Sequence, residues 1–306
     1  GARLPPTMFG RRPAPEPPAE PSLAAQLLDL LGPLEPNARS PLALLLCALC
    51  WELLYRVSQL ACRALAPVLV RSDYSKGGKA FRNHGSTYVC AFVHAVLTGG
   101  RGVWHVWQLL GAPLDAKLAV PDASSPHYAA AASTELTNLF FLSWLMYDTV
   151  HVLSSYPVLG GADTVAHHVC FAAGAAITAA HRALPFQFAW LITGECSSPL
   201  LNVRWFLINT GRGDTPAMQA VNLAFGLTFF TARILLFTLG LSHMALNANR
   251  LVALRVLPPP QLACVCAILA AGYALNLMWA AKIWAMAFGT KKRGKGPSHE
   301  GANKTS

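Results

Sequence analysis

Charge is scarce in this sequence. Of 306 residues only 12% are Asp, Glu, Lys or Arg, while 54% are hydrophobic. Soluble domains average about 25% charged residues. Half that level, arranged as long uncharged runs, excludes a soluble globular protein and leaves no soluble domain of useful size beside the runs. Acidic residues are the scarcer sign, 14 Asp and Glu against 24 Lys and Arg, for a formal net charge of +10. The excess gathers in two places, the segment from Arg71 to Arg82 with Lys76 and Lys79, and the tail Lys291-Lys292-Arg293-Gly294-Lys295. Both flank apolar runs, so the positive-inside rule accounts for them and nucleic acid is not an expected partner.

Several chemistries lack their signatures. The ten histidines form no His-x-x-x-His or His-x-x-His-His box, which excludes a membrane di-iron oxidase. There is no Gly-x-Ser-x-Gly elbow, phosphate loop or dinucleotide fingerprint. The eight cysteines form no framework, since Cys47, Cys50, Cys62, Cys90, Cys170, Cys264 and Cys266 all lie in apolar segments. Cys47-x-x-Cys50 has zinc-like spacing without a second pair or polar surroundings, so these thiols read as packing residues and no metal is expected. The chain opens Gly1-Ala2-Arg3 without an initiator Met, so an earlier start is expected, and no signal peptide is recognisable.

What is present is a series of seven apolar segments, at 42–69, 86–110, 133–155, 163–181, 185–209, 217–241 and 261–288. A bilayer span needs about 20 residues. The expected fold is therefore all-α, a polytopic membrane protein with about seven transmembrane helices. Residues 1–40 read as a Pro-rich disordered tail, with a short amphipathic helix from Ser22 to Leu31 ended by Gly32. Residues 41–79 read as a first span and basic loop, and 289–306 as a basic disordered tail. With seven spans the two basic clusters share one side, expected to be cytosolic. The loop 112–132, holding Asp115 and Asp122 against Lys117, falls on the other, where Arg250 and Arg255 disagree mildly with the rule.

Polar groups inside these segments are the candidate functional residues, because a charge at a span's centre costs roughly 2.5–3.5 kcal/mol on insertion scales and needs a protein-lined interior. Glu52 and Arg56 are four apart and suit a structural ion pair. His94 has no partner nearby in sequence. Asp148 and His151, three apart, read either as an acid/base pair or as a polar helix end. His167 and His168 are adjacent in an otherwise apolar helix, about 100° apart around its axis. One is expected to face a cavity while the other bonds a neighbouring helix, the alternative being two buried structural histidines. In the fifth segment Glu195, Ser198 and Asn202 share a face, whereas Arg204 would lie opposite Glu195 on a straight helix. Each then pairs elsewhere unless Pro199 kinks the segment, which reads as broken or re-entrant. Arg233 and Lys282 offer cations from the last two segments.

Taken in order, Arg82…Ser86…His94-Ala95, Tyr147-Asp148, His167-His168, Glu195-x-Ser-Ser-Pro-x-x-Asn202-x-Arg204-Trp205-Phe206 and Asn276-x-x-Trp279 with Lys282 resemble the TLC-domain family. That family includes the ceramide synthases, the translocating-chain-associated membrane protein and lipid-homeostasis proteins. The resemblance covers about residues 80–288 and is closest to members outside the ceramide synthase branch. It implies a barrel of six helices, segments two to seven, around a lipid-accessible central cavity. In the ceramide synthases the two histidines are catalytic in joining a sphingoid base to an acyl group from acyl-CoA, and His167 and His168 match them by position. The acidic residues of that branch are replaced here by Glu195-Cys196-Ser197-Ser198.

The expected function is therefore an integral membrane lipid-handling protein. Its cavity would be lined by His94, Asp148, His151, Glu195, Ser198, Asn202, Arg204, Arg233 and Lys282 and would bind an acyl lipid that bears on membrane lipid homeostasis. The alternatives are an N-acyltransferase of ceramide synthase type, with catalytic His167 and His168 and acyl-CoA as substrate, and a membrane trafficking adaptor. No cofactor is expected. The partners implied are membrane lipids, a second copy of the chain or other membrane proteins. The endoplasmic reticulum is the expected location, with the plasma membrane as alternative and a cytosolic C-terminus.

Overall fold

The structure, a computed structural model, describes residues 41–288; the expectations for 1–40 and 289–306 lie outside them. Among the described residues every regular element is helical. The elements are α1 (Pro41–Leu69), α2 (Ser75–Leu109), α3 (Leu114–Leu118), α4 (Tyr128–Ser154), α5 (Ala162–Ala180), α6 (Pro185–Ile192), α7 (Ser198–Asn209), α8 (Pro216–Phe229), α9 (Phe237–Leu246), α10 (Ala248–Ala253) and α11 (Pro259–Phe288). A 3-10 turn, Thr193–Ser197, joins α6 to α7, and a π turn, Phe230–Leu236, joins α8 to α9. Each of the apolar segments read from the sequence is helical. Leu42–Leu69, Pro216–Leu246 and Pro259–Ala285 are long and apolar enough to cross a membrane by length and composition. Leu45, Leu49, Leu53, Val57 and Leu60 of α1 are exposed, which suits contact with lipid tails.

Local chemistry explains the boundaries. Pro216 sits at the start of α8, where its missing N–H costs nothing, and the Thr215 hydroxyl accepts from the Met218 N–H at 3.3 Å. The fifth segment is broken for the converse reason. Pro199 has no N–H to give the Glu195 carbonyl, and its ring crowds that same group, so a regular α-helix cannot run through this point. The backbone tightens into the 3-10 turn and resumes as α7. The segment is interrupted, but it continues to the opposite end of the molecule.

Backbone and side-chain ties define two ends. At one, the Arg71 N–H donates to Thr210 O at 3.3 Å and Arg212 Nη1 to Leu69 O at 2.6 Å. At the other, Val120 N donates to Arg182 O at 3.0 Å and Leu184 N to Leu118 O at 2.8 Å. Arg250 Nε donates to Asp115 Oδ1 at 2.7 Å there, and hydrogen bonds from this guanidinium hold the Asp115 carboxyl below its usual range. Arg250, which disagreed mildly with the charge rule, is thus matched by an acid on the same end. The first end carries Arg71, Lys76, Lys79 and Arg212 and is called the basic end below.

The core at the non-basic end is filled by Leu109, Leu118, Leu184, Trp190, Phe237 and Met244. A second cluster in the middle joins Trp51, Phe141, Trp144, Phe171, Phe188 and Ile192. Between them α2 meets the broken segment at backbone distance. A Cβ on Gly99 would lie 2.9 Å from the Cys196 N, and one on Gly102 2.9 Å from the Thr193 N. Two glycines one helical turn apart thus let α2 rest on the 3-10 turn. Gly99→Ala is expected to push that turn away and destabilise the protein by about 1–3 kcal/mol, the usual range for overpacking. A thermal unfolding midpoint in detergent equal to that of the wild type would contradict this.

Candidate functional site

Most of the polar residues singled out in the membrane segments meet in the half of the molecule nearer the basic end. They line a cavity of about 690 Å³ bounded by α2, α4, α5, the broken segment, α8 with its π turn, and α11. Its polar lining includes His94, Asp148, His167, His168, Glu195, Ser197, Ser198, Asn202, Arg204, Asn222, Arg233 and Lys282, and its apolar lining includes Phe141, Trp144, Leu145, Leu201, Phe225, Phe229 and Trp279.

Glu195 and Arg233 form the centre of the polar wall. Arg233 Nη2 lies 3.1 Å from Glu195 Oε1 and 3.0 Å from Ser198 Oγ, and its Nε donates to Ser197 Oγ at 3.0 Å. The Ser198 hydroxyl donates to Glu195 Oε2 at 2.8 Å. Both charged side chains are largely buried, at 13% and 18% exposed for Arg233 and Glu195. The two residues that hold this pair sit on the two irregular turns. The 3-10 turn carries Glu195, and the π turn re-aims Arg233 inward where a regular helix would space its side chains differently.

The two histidines come in from the first turns of α5. Their rings are 5.8 Å apart. His168 Nε2 lies 3.7 Å from Asp148 Oδ2 of α4, while His167 packs on Phe171 at 4.5 Å and on Trp279 of α11 at 5.6 Å. Both line the cavity, which corrects the expectation that only one would. The cavity spans the gap between α4 and α11, wide enough to take in two directions about 100° apart on α5. His94 approaches from α2, its ring stacked on Trp144 at 4.9 Å. Three ring nitrogens of the cavity have no hydrogen-bond partner, His94 Nε2, His167 Nδ1 and His168 Nδ1. Buried polar atoms without partners are uncommon in folded proteins, and three of them belong to residues that line this one cavity.

His151 does not belong to this wall. Its ring packs at a tilt on Tyr55 of α1 at 4.5 Å and on Tyr147 at 4.6 Å. A spacing of three residues leaves about 60° between Asp148 and His151 around the helix. That is enough to place Asp148 in the cavity beside His168 and His151 against α1. Of the two readings the sequence left open for Asp148 and His151, the acid/base pair does not form, and Asp148 approaches His168 instead. Arg204 also pairs away from Glu195, its Nε donating to Asn222 Oδ1 at 2.9 Å. Glu52 and Arg56 pair at 2.5 Å, and Tyr147 adds a hydrogen bond to Glu52 at 2.8 Å.

Trp51, Phe141 and Trp144 carry no signal in the sequence as site residues, and Asn222 was not singled out there. The aromatics lie in continuous apolar runs, and only Asn222, a lone amide in such a run, offered a clue. Trp51 backs the cavity from α1, its indole N–H donating to Ser143 Oγ at 3.2 Å and its ring 6.0 Å from His94. Among the described residues no three His, Cys, Asp or Glu side chains are grouped to hold a metal ion.

Breaking the buried pair from one side leaves a charge without its partner, which costs about 3–5 kcal/mol. Arg233→Met and Glu195→Gln are each expected to lower thermal stability by that order, and the double variant to recover much of the loss. Additive losses in the double variant, read by thermal unfolding in detergent, would show that the two side chains do not depend on each other.

The TLC domain family model matches residues 86–285, more than half of the chain. No curated protein and no solved structure matches it. The match begins within α2 and ends within α11, so it takes in every element that lines the cavity. With the apolar helices and their exposed leucines, it shows that this integral membrane protein belongs to the TLC domain family, a lipid-related family of membrane proteins.

Proposed function

We propose that the protein binds an acyl lipid in its intramembrane cavity and through it contributes to membrane lipid homeostasis. The observation that carries this reading is the composition of the 690 Å³ cavity. Asp148, His167, His168, Asn202, Arg204 and Lys282 lie toward the basic end, where a headgroup would sit, while Phe141, Trp144 and Leu145 form the wall supplied by α4. Ligand sites of about 300–1,000 Å³ are typically apolar with a few fixed polar groups. In this reading all seven apolar segments cross the bilayer, segments two to seven enclose the cavity as a barrel, and the basic end is cytosolic, which puts the C-terminus there too. The endoplasmic reticulum is the membrane proposed, and within the family the chain is placed outside the ceramide synthase branch.

A second reading is favoured by one contact, the 3.7 Å approach of His168 to Asp148. An imidazole oriented by a carboxylate can act as general base or acyl carrier, which would make the protein an N-acyltransferase using acyl-CoA.

The two readings separate in one experiment. The full-length wild type and His167→Ala/His168→Ala are purified, and the lipids retained by each are compared together with transfer from acyl-CoA to a sphingoid base. Lipid binding predicts retained acyl lipid, no transfer, and retention weakened roughly tenfold or more in the double variant, as expected for two hydrogen bonds of about 1 kcal/mol each. Transfer by the wild type that disappears in the variant establishes the second reading. A wild type that neither retains acyl lipid nor transfers it rejects both.

A further inference from the structure

We propose that Phe141 sets the length of the longest acyl chain the cavity holds, by standing between the cavity and a small apolar chamber behind it. The proposal rests on the lipid-binding reading above and deepens it.

Along α4, α5 and α11 the lining turns from polar to apolar away from the basic end, while on α8 and its π turn Phe225 and Phe229 come before Arg233. On α5 the order away from the basic end is His167 and His168, then Phe171, then Gly174, Ala175 and Thr178. On α11 it is Lys282 and Trp279, then the buried Asn276 and Gly272, then Leu269, Ile268 and Val265. On α4 it is Asp148, Trp144 and Phe141. A lipid whose headgroup lies by the histidines therefore points its tail along α5 toward the non-basic end. The first members of each series line the main cavity. The last members on α5 and α11 line a separate, mostly apolar chamber of about 40 Å³, together with Leu184, Gln187, Phe188 and Leu191.

Phe141 is common to the linings of both spaces. It is 5% exposed and belongs to the same packed cluster as Phe171 and Phe188. Its ring stacks 5.8 Å from His94 on the cavity side and meets Phe188 edge-on at 6.0 Å on the chamber side. The neighbours on both sides hold the ring where it stands, so it closes the cavity as a fixed partition. The chamber amounts to about three water-sized spheres, so opening it adds room for roughly three methylene groups. Each methylene newly buried raises affinity about fourfold.

The test uses the purified full-length protein and a ladder of saturated fatty acids from lauric to lignoceric, scored by displacement of a fluorescent fatty-acid probe. The wild type should bind more tightly with each added carbon up to a limit, then lose affinity. Phe141→Ala should move that limit to acids longer by about two to four carbons. Phe141→Leu keeps a bulky apolar side chain, opens the partition only in part, and should move the limit less. Should the alanine variant not fold, the leucine variant carries the test.

Gly174→Ala in the Phe141→Ala background should move the limit back. Its Cβ would lie 3.6 Å from Ile268 Cγ2, an ordinary contact, and would fill part of the chamber without strain. An unchanged limit in a folded Phe141→Ala or Phe141→Leu that still binds the shorter acids overturns the proposal and leaves the lipid-binding reading intact. A wild type from which no acid displaces the probe overturns both.

Discussion

The ion pair between Glu195 and Arg233 is the constraint on which the site depends. A charge has no stable place in hydrocarbon alone, and here each supplies the other's partner while two serine hydroxyls take up the remaining hydrogen bonds. Neither charge reaches its position from a regular helix. Pro199 breaks one segment and turns Glu195 inward; the π turn does the same for Arg233. Two local departures from α-helical geometry, each with a modest cost, are held together by one contact between them. The glycines of α2 complete the arrangement, because only a bare backbone can lie against the 3-10 turn as closely as this one does.

Around that pair the cavity is assembled from groups that would each be expensive in isolation. Asp148 faces His168, Arg204 is tied to Asn222, and His94 stacks on Trp144. What is left without a partner is one ring nitrogen on each of His94, His167 and His168.

Much of this was legible in the sequence, and the reason is energetic. Polar residues within apolar runs announce themselves because hydrocarbon tolerates so few of them, so His94, Asp148, His167, His168, Glu195, Asn202, Arg204, Arg233 and Lys282 could all be named before any coordinates. The break at the fifth segment was visible too, since Pro199 has backbone consequences wherever it falls. Angular relations were harder to read. A spacing of three residues suggested that Asp148 and His151 act together, yet the remaining 60° sends them to different neighbours. The apolar walls were harder still. Phe141 and Trp144 look like any other residues of a continuous hydrophobic run, and only the packing of α4 against α2 and α6 distinguishes a partition from a filler.

Helix α1 lies outside the stretch matched by the family, yet it is joined to the site at its back. Trp51 bonds to Ser143 and borders the ring of His94, and Glu52 accepts from Tyr147, the residue that precedes Asp148. The limits of the family resemblance are therefore not the limits of the functional unit. A fragment cut at residue 86 would leave the indole's place beside His94 open to lipid and would remove the acceptor that anchors Tyr147. A substitution in α1 would reach the cavity from outside the domain, and its effect on the site would be mistaken for a defect in membrane insertion.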